Sequence, residues 1–315
     1  MIIRKTRNAV FLIANILFRY PIWLLLLILR PFRLFQYLFL VYPGNDYDLG
    51  GYCPKWLANT RLFWGRPTFG GIITSGRTGA RGLILVIPNT AKQMLHDKAT
   101  TSQVVTRLDR MAAMLGIGSI ATAGQLPSII RKHGIAVSDR FVDGKLGTIY
   151  TIEQTLKAAI QQKGTVENPV IAIIGTGFIG NTLYENLKQQ GKNVLGFNLN
   201  SKVEQIKDAD IIIVLTPRGK DFVPYIPHIK DGAIVIDDTH PRIFAPINNA
   251  SLFKVAMSLE GVKFVPKLPG YHNKWVPGCA IEAILQAHFG KSQLTDPAHT
   301  AAAAEKLGLK PLLVK

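Results

Sequence analysis

Cysteine is nearly absent from this 315-residue chain, which has two, Cys53 and Cys279. That excludes the disulfide framework of a small secreted scaffold, fits a reducing compartment, and leaves any cysteine chemistry to a single thiol. Acidic residues are also scarce, 20 against 37 Lys and Arg, for a formal charge of +17. Such an excess suits nucleic acid, a membrane surface or an anionic substrate. No basic run with interleaved aromatics and no nucleic-acid motif occurs, so nucleic acid is not expected as a partner. No apolar stretch reaches the ~20 charge-free residues of a perpendicular membrane span. Yet 48% of the residues are hydrophobic, too many for a disordered chain. The length suits two domains of roughly 100–200 residues each.

The apolar excess is concentrated at the amino end. Ala9 to Tyr42 is almost wholly apolar but is cut by Arg19, by Arg30 with Pro31, and by Arg33. A single span through Arg19 would cost about 2.5–3.5 kcal/mol at the bilayer centre. Arg4, Lys5 and Arg7 before the run and Arg30 and Arg33 after it put positive charge on both flanks. That arrangement favours a helix pair lying in one leaflet over a span, with breaks at Pro21 and Pro31 and with Tyr20, Trp23, Tyr37 and Tyr42 at the interface. No small-residue cleavage site follows the run, so a retained anchor is expected rather than a cleaved leader. The expected location is the cytoplasmic face of a bacterial inner membrane.

Further on, residues 69–75 and 82–87 read as strands joined by a turn at Gly76–Ala80. Helical periodicity follows from Thr90, through Thr101–Met114 and again over Thr151–Gln162. The sharpest motif begins after Pro169. VIAIIGTGFIG is a buried strand running into Gly175, Thr176, Gly177, Phe178, Ile179 and Gly180, the GxGxxG spacing, and then into a helix ending near Gly191. The first glycine permits the tight turn, the second lets a pyrophosphate approach the backbone, and the third lets helix and strand pack closely. NVLGFNLN supplies the second strand. An NAD-selective site usually ends this strand in Asp or Glu. Here Asn198, Asn200, Ser201 and Lys202 stand there, and the uncharged end followed by lysine favours NADP(H), although Lys202 can also be read as capping a solvated turn. Strands at 210–215 and 233–238 then put Thr216, Pro217 and His240 at carboxyl ends, where open α/β sheets bind ligands.

Near the carboxyl end, Pro277 opens a helix with Cys279 in its first turn. A thiol there feels the positive end of the helix dipole, which favours the thiolate nucleophile, although an isolated cysteine can equally be a small packing residue. His272 and His240 are the candidate proton donors or acceptors, each also readable as a hydrogen-bonded structural histidine. No cluster of metal ligands is visible, so no metal is expected.

Over residues 68 to 315 the chain resembles the cyanobacterial-type long-chain acyl-[acyl-carrier-protein] reductases, which make fatty aldehydes. The resemblance is carried by the paired strands before Pro88, Gln93-Met94-Leu95, LGIG, PSII, Gly147-Thr148, the nucleotide loop, ADIIIVLTP, IDDTHPR, CAIEAIL and KLGLKPL, in consistent order. In that family the cysteine of a Cys-x-x-Glu-Ala helix carries the acyl thioester, and Cys279, Glu282 and Ala283 match it. The resemblance implies an NADPH-dependent reductase forming an acyl-Cys279 intermediate from a fatty acyl thioester, with acyl-carrier protein as a partner. This chain departs from the family in its nucleotide loop, shorter by one residue, in Thr148 and Tyr150, and in the hydrophobic amino terminus, which leaves acyl-CoA or a lipid-linked acyl group as donors. A shikimate-dehydrogenase-like or glutamyl-tRNA-reductase-like oxidoreductase, or a non-catalytic NADP(H)-binding membrane regulator, would share the same architecture.

The expected fold is α/β: a Rossmann-type domain plus an α/β substrate lobe, in the two-lobe arrangement of amino-acid dehydrogenases, with an N-terminal hydrophobic helical anchor. The expected boundaries are 1–42 for the anchor, 43–166 for the substrate lobe, 167–270 for the NADP-binding domain, and 271–315 for helices that carry Cys279 back to the substrate lobe.

Overall fold

A computed structural model of the chain describes residues 10, 13–14, 17–46, 49–50, 54–58, 60, 64–74, 76–164, 167–268, 271–272, 274–294 and 296–314. Cys53 and the basic residues Arg4, Lys5 and Arg7 lie outside them. The chain divides into two compact units, the first made of Met1–Gly144, Gly261–Leu268 and Cys279–Thr295, the second of Lys145–Glu260, Pro269–Gly278 and Asp296–Lys315.

The first unit is built on a six-stranded sheet. Its strands are β1 (Tyr37–Val41), β2 (Thr68–Ile73), β3 (Gly82–Val86), β4 (Ser119–Thr122), β5 (Phe141–Val142) and β12 (Phe264–Val265), in the order β12-β2-β3-β1-β4-β5. β1 lies parallel to β3 and β4, and β4 to β5, while β2 runs antiparallel to β3 and to β12. Tyr37 to Leu40 are fully buried, so β1 is a central strand. The expected anchor boundary at residue 42 is thereby corrected, and Tyr37 and Tyr42 are not interfacial aromatics. A short continuous apolar run is what a parallel strand covered on both faces needs, and by composition alone it looks like a membrane segment.

Period-two alternation sorts the strand residues to two faces. Leu38, Leu40, Leu83, Leu85 and Ile120 share a core with α2 (Ala91–His96), α3 (Lys98–Leu115) and α4 (Leu126–Lys132). Val104, Val105, Leu108, Ala112 and Leu115 of α3 make that contact, the face its 3.6-residue periodicity marks. α2 starts in a capping box, in which Thr90 Oγ accepts from the Gln93 amide and Gln93 Oε1 from the Thr90 amide. Caps of this kind contribute about 1 kcal/mol. On the other face lie Tyr37, Phe39 and Ser119. Here Phe39 meets Phe264 edge-on at 5.8 Å, and the Ser119 hydroxyl donates to Gln286 Oε1 at 3.0 Å. Gln286 belongs to α7 (Gly278–Phe289), which runs along this face.

Of the amino-terminal run, α1 (Arg19–Ile28) sets Trp23, Leu26 and Leu27 against the first core and leaves Tyr20, Leu24, Leu25 and Ile28 exposed. Pro21 lies in its first turn instead of making a break, whereas Pro31 falls in the 3-10 turn that ends it. No helix among the described residues is long and apolar enough to cross a membrane.

The second unit holds a parallel five-stranded sheet of β6 (Val170–Ile174), β7 (Asn193–Phe197), β8 (Ile211–Val214), β9 (Ile234–Asp237) and β10 (Ser251–Lys254), in the order β10-β9-β8-β6-β7. One face carries α5 (Lys145–Lys163) and α6 (Phe178–Gln189) on Ile171 and Ile173. The opposite face is covered by 3-10 segments, with Ile206, Phe222 and Tyr225 against Ala172 and Ile174. α8 (Pro297–Leu307) and the antiparallel pair β11 (Met257–Ser258) and β13 (Lys310–Pro311) complete it.

Three expected boundaries therefore shift. α5 belongs to the nucleotide-type unit, β12 extends the first sheet, and of residues 271–315 only the segment from Cys279 to Thr295 joins the first unit. Linear sequence marks where an element starts, whereas its unit is set by which apolar face it covers.

Candidate functional site

In the second sheet the strand order reverses beside β6, and the carboxyl ends of β6 and β8 flank the crevice where open α/β sheets take ligands. The loop after β6 opens there. Gly175 has φ +102°, which an L side chain rarely adopts, and its amide donates to the Phe197 carbonyl at 2.9 Å. The neighbouring Thr176 amide reaches the same carbonyl at 3.3 Å. Leu215 and Thr216 lie against Gly175, which puts Thr216 and Pro217 at the crevice. A Cβ on Gly177 would meet nothing within 4 Å, so the backbone there is open to a ligand, whereas a Cβ on Gly180 would stand 2.0 Å from the Gly175 carbonyl oxygen.

The first amide of α6 to reach back one turn is that of Asn181, to Gly177 O. The helix opening formed by Phe178, Ile179 and Gly180 before it presents the positive end of the dipole and would suit a pyrophosphate. Lys145 Nζ lies 5.3 Å from the centroid of the Phe178 ring, a cation at this mouth that sequence reasoning missed because it is 33 positions earlier in the chain. The residues present fit a dinucleotide.

The turn after β7 is held by its own side chains. Asn198 Oδ1 accepts from the Asn200 amide at 2.8 Å and from Ser201 Oγ at 3.4 Å, and Ser201 Oγ accepts from the Asn198 amide at 3.0 Å. Lys202 follows, exposed.

In the first unit Cys279 is half-buried in the opening turn of α7. A Cβ on Gly144, which has φ +69°, would stand 2.9 Å from Cys279 Cα, so the cysteine backbone packs directly on the loop after β5. Glu282, one turn on, is buried. Tyr42, just past β1, accepts a 2.7 Å hydrogen bond from the Leu126 amide, and burial pushes its phenol well above the usual range, with the Cys279 thiol adding to the effect. Tyr42 and Gly144 were both missed as site residues, since only the sheet brings residues so distant in sequence together.

The two histidines fall in the second unit. His240 follows β9, is exposed, and stacks on Tyr271 with ring centroids 5.1 Å apart. His272 is exposed, its ring 6.2 Å from that of Trp275, and its Nδ1 accepts from the Lys274 amide at 3.3 Å. A small cavity of about 20 Å³ is lined by Thr151, Asp238, Lys254, Tyr271 and Trp275 among others. That is room for one water. Burial there raises the Asp238 carboxyl to about 6, the Asp237 charge adds to the rise, and Lys254 opposes it.

Residues 170–229 match the family model described as the NAD binding domain of 6-phosphogluconate dehydrogenase. Among solved structures, the chain is similar to a dipicolinate synthase component from Bacillus halodurans, at 17% identity over 38% of this chain and 50% of that one, with TM-score 0.28. It is also similar to bifunctional methylenetetrahydrofolate dehydrogenase/cyclohydrolases. That from Campylobacter jejuni matches at 14% identity over 91% of this chain and 95% of that one, with TM-score 0.37. That from Thermoplasma acidophilum matches at 14% identity over 86% and 95%, with TM-score 0.39. The chain spans half the length of the first of these. Loop geometry and the family match make residues 170–229 an NAD(P)(H)-binding domain of oxidoreductase type.

Proposed function

We propose that the chain is a membrane-associated, NADPH-dependent reductase that converts a fatty acyl thioester, carried on acyl-carrier protein or coenzyme A, to a fatty aldehyde through an acyl-Cys279 intermediate. The observation that carries this reading is the placement of Cys279 in the first turn of α7, half-buried against Gly144 and within electrostatic reach of Tyr42. The helix opening favours the thiolate. The thiolate adds to the thioester carbonyl, the bond to the carrier sulfur breaks, and the carrier thiol leaves with a proton. When bound, the nicotinamide cofactor supplies the hydride that turns the enzyme-held acyl group into aldehyde. Gly175, Gly177 and Gly180 would hold its pyrophosphate, and Lys202 would meet the ribose 2′-phosphate. His240 and His272 are the candidates for moving the proton. The exposed apolar face of α1 and the nine Lys/Arg against two Asp in residues 1–66 support membrane association.

The test is NADPH oxidation by the full chain offered acyl-coenzyme A and acyl-carrier thioesters, with products identified by mass spectrometry. Cys279→Ser should abolish reduction and leave cofactor affinity nearly unchanged. Near-normal turnover of Cys279→Ser would replace this reading with direct hydride transfer to a polar substrate, and absence of turnover on any thioester would favour a nucleotide-binding regulator.

A further inference from the structure

The carboxyl end of the first sheet gathers three loops. Tyr42 follows β1, Gly124 to Leu126 follow β4, and Gly144 follows β5, with β1, β4 and β5 adjacent in that order. Cys279 enters this end on top of Gly144, and α7 then runs back along the sheet to the Ser119–Gln286 bond at the opposite end of β4. Gly124 lies where its missing side chain matters. With φ +59° it turns the loop, and a Cβ on it would press to 3.3 Å of the Tyr42 hydroxyl oxygen. The Leu126 amide donates a hydrogen bond to that oxygen at 2.7 Å.

A phenol oxygen that accepts a backbone N–H is left with its own O–H to give away, and it gives it more strongly, because accepting a hydrogen bond polarises the hydroxyl. We propose that the Tyr42 hydroxyl is the donor that meets the carbonyl oxygen of the acyl group as Cys279 attacks it. This rests on the acyl-Cys279 reading above. As sulfur adds, the carbonyl electron pair moves to oxygen, and Tyr42 stabilises that charge by a hydrogen bond while keeping its proton. When the pair returns to re-form C=O, the bond to the carrier sulfur breaks and solvent protonates the leaving thiolate. In the reductive half, for which a bound nicotinamide cofactor would supply the hydride, Tyr42 would again hold the carbonyl oxygen as it takes the electron pair, and breaking of the bond to Cys279 Sγ would release aldehyde and the thiolate. Preorganised donors at such an oxygen commonly contribute ~10²–10³-fold in rate.

The experiment is single-turnover acylation of the full-length protein in detergent by an acyl-coenzyme A, read by intact mass. Cys53→Ser is the background, so that Cys279 is the sole thiol. Tyr42→Phe should slow acylation by about 10²-fold while NADPH affinity stays the same and iodoacetamide still alkylates Cys279. Acylation within twofold of the parent overturns the proposal. Should Tyr42→Phe fail to fold, 3-fluorotyrosine at position 42 retains ring and hydroxyl but is the more acidic donor. A changed acylation rate and pH profile then supports the role, and an unchanged profile overturns it. The two failures are distinguishable, because acyl transfer to a residue other than Cys279 defeats the acyl-enzyme reading itself, whereas normal acylation of Cys279 in Tyr42→Phe defeats only the role of Tyr42.

Discussion

The ammonium group of Lys254 donates to the Asp237 carbonyl at 2.9 Å and to the Thr239 carbonyl at 2.8 Å, tying the end of β10 to the chain leaving β9. The Asp237 carboxylate, 3.9 Å away, is itself fully used, accepting from the Thr239 amide and hydroxyl and from the Ile243 amide. Burial lowers the Lys254 amine, against the pull of Asp237 and Asp238 and with the push of Arg242.

Asp238 beside this pair sets a pH dependence. Its carboxyl lies at about 6 in the folded chain against 3.8 for the free side chain, so the folded state holds this proton more tightly. Stability then falls as pH rises from about 4 to 6 and levels off above, for a total of at most about 3 kcal/mol. Asp238→Asn should raise the thermal midpoint at pH 7.5 and leave it almost unmoved at pH 4. A midpoint lowered at pH 7.5 would mean that the attraction to Lys254 outweighs desolvation.

Gly180→Ala tests the nucleotide loop. Its new Cβ would stand 2.0 Å from the Gly175 carbonyl oxygen, a backbone atom, so helix and strand must separate. Titration with NADPH should show at least a tenfold loss of affinity, together with a lower thermal midpoint. Gly177→Ala should cost little stability, since nothing lies within 4 Å of its Cβ, and should still weaken binding because the Cβ enters the ligand's space. Equal losses of stability in both variants would contradict this division of roles.

Cofactor preference comes next. The Asn198–Ser201 turn is closed by internal hydrogen bonds, which leaves Lys202 as its exposed charge. NADPH should bind more tightly than NADH, and Lys202→Ala should narrow the gap. Fluorescence titrations giving equal affinities for the parent protein would end the assignment.

The nucleotide loop was legible in the sequence because a buried strand, a glycine spacing and a helix occur in uninterrupted order, and local periodicity reports all three. β1 was not, since YLFLV has the composition of a membrane segment and only pairing with β3 and β4 tells the two apart. The Lys254–Asp237 tie was hidden for a related reason. Register sets Lys254 directly beside Asp237, but the two are 17 positions apart, and a parallel pair leaves no hairpin signal. The Tyr42–Leu126 bond spans 84 positions, beyond any sequence pattern.

The amino-terminal segment supplies the fourth prediction. Tyr20, Leu24 and Ile28 follow i, i+4, i+8 spacing on the exposed side of α1, while Trp23 and Leu27 hold the inner side. Paired Leu24→Gln and Ile28→Gln substitutions should release the protein from vesicles containing anionic lipid after a high-salt wash, with its thermal midpoint kept. Trp23→Ala should instead destabilise the first core by about 2 kcal/mol or more. Retention of the double variant on vesicles would assign the binding to residues outside α1.

The division of the chain also orders its synthesis. Five crossings separate the six segments of the two units, and the helix covering the Tyr37–Phe39–Ser119 face of the first sheet is translated 135 positions after residue 144. At ~5–20 residues per second, that face stays uncovered on the ribosome for roughly 7–30 s. Until residue 265 is made β2 also lacks its edge partner β12, so unpaired strand and bare apolar surface coexist. No single cut in the chain yields either unit whole.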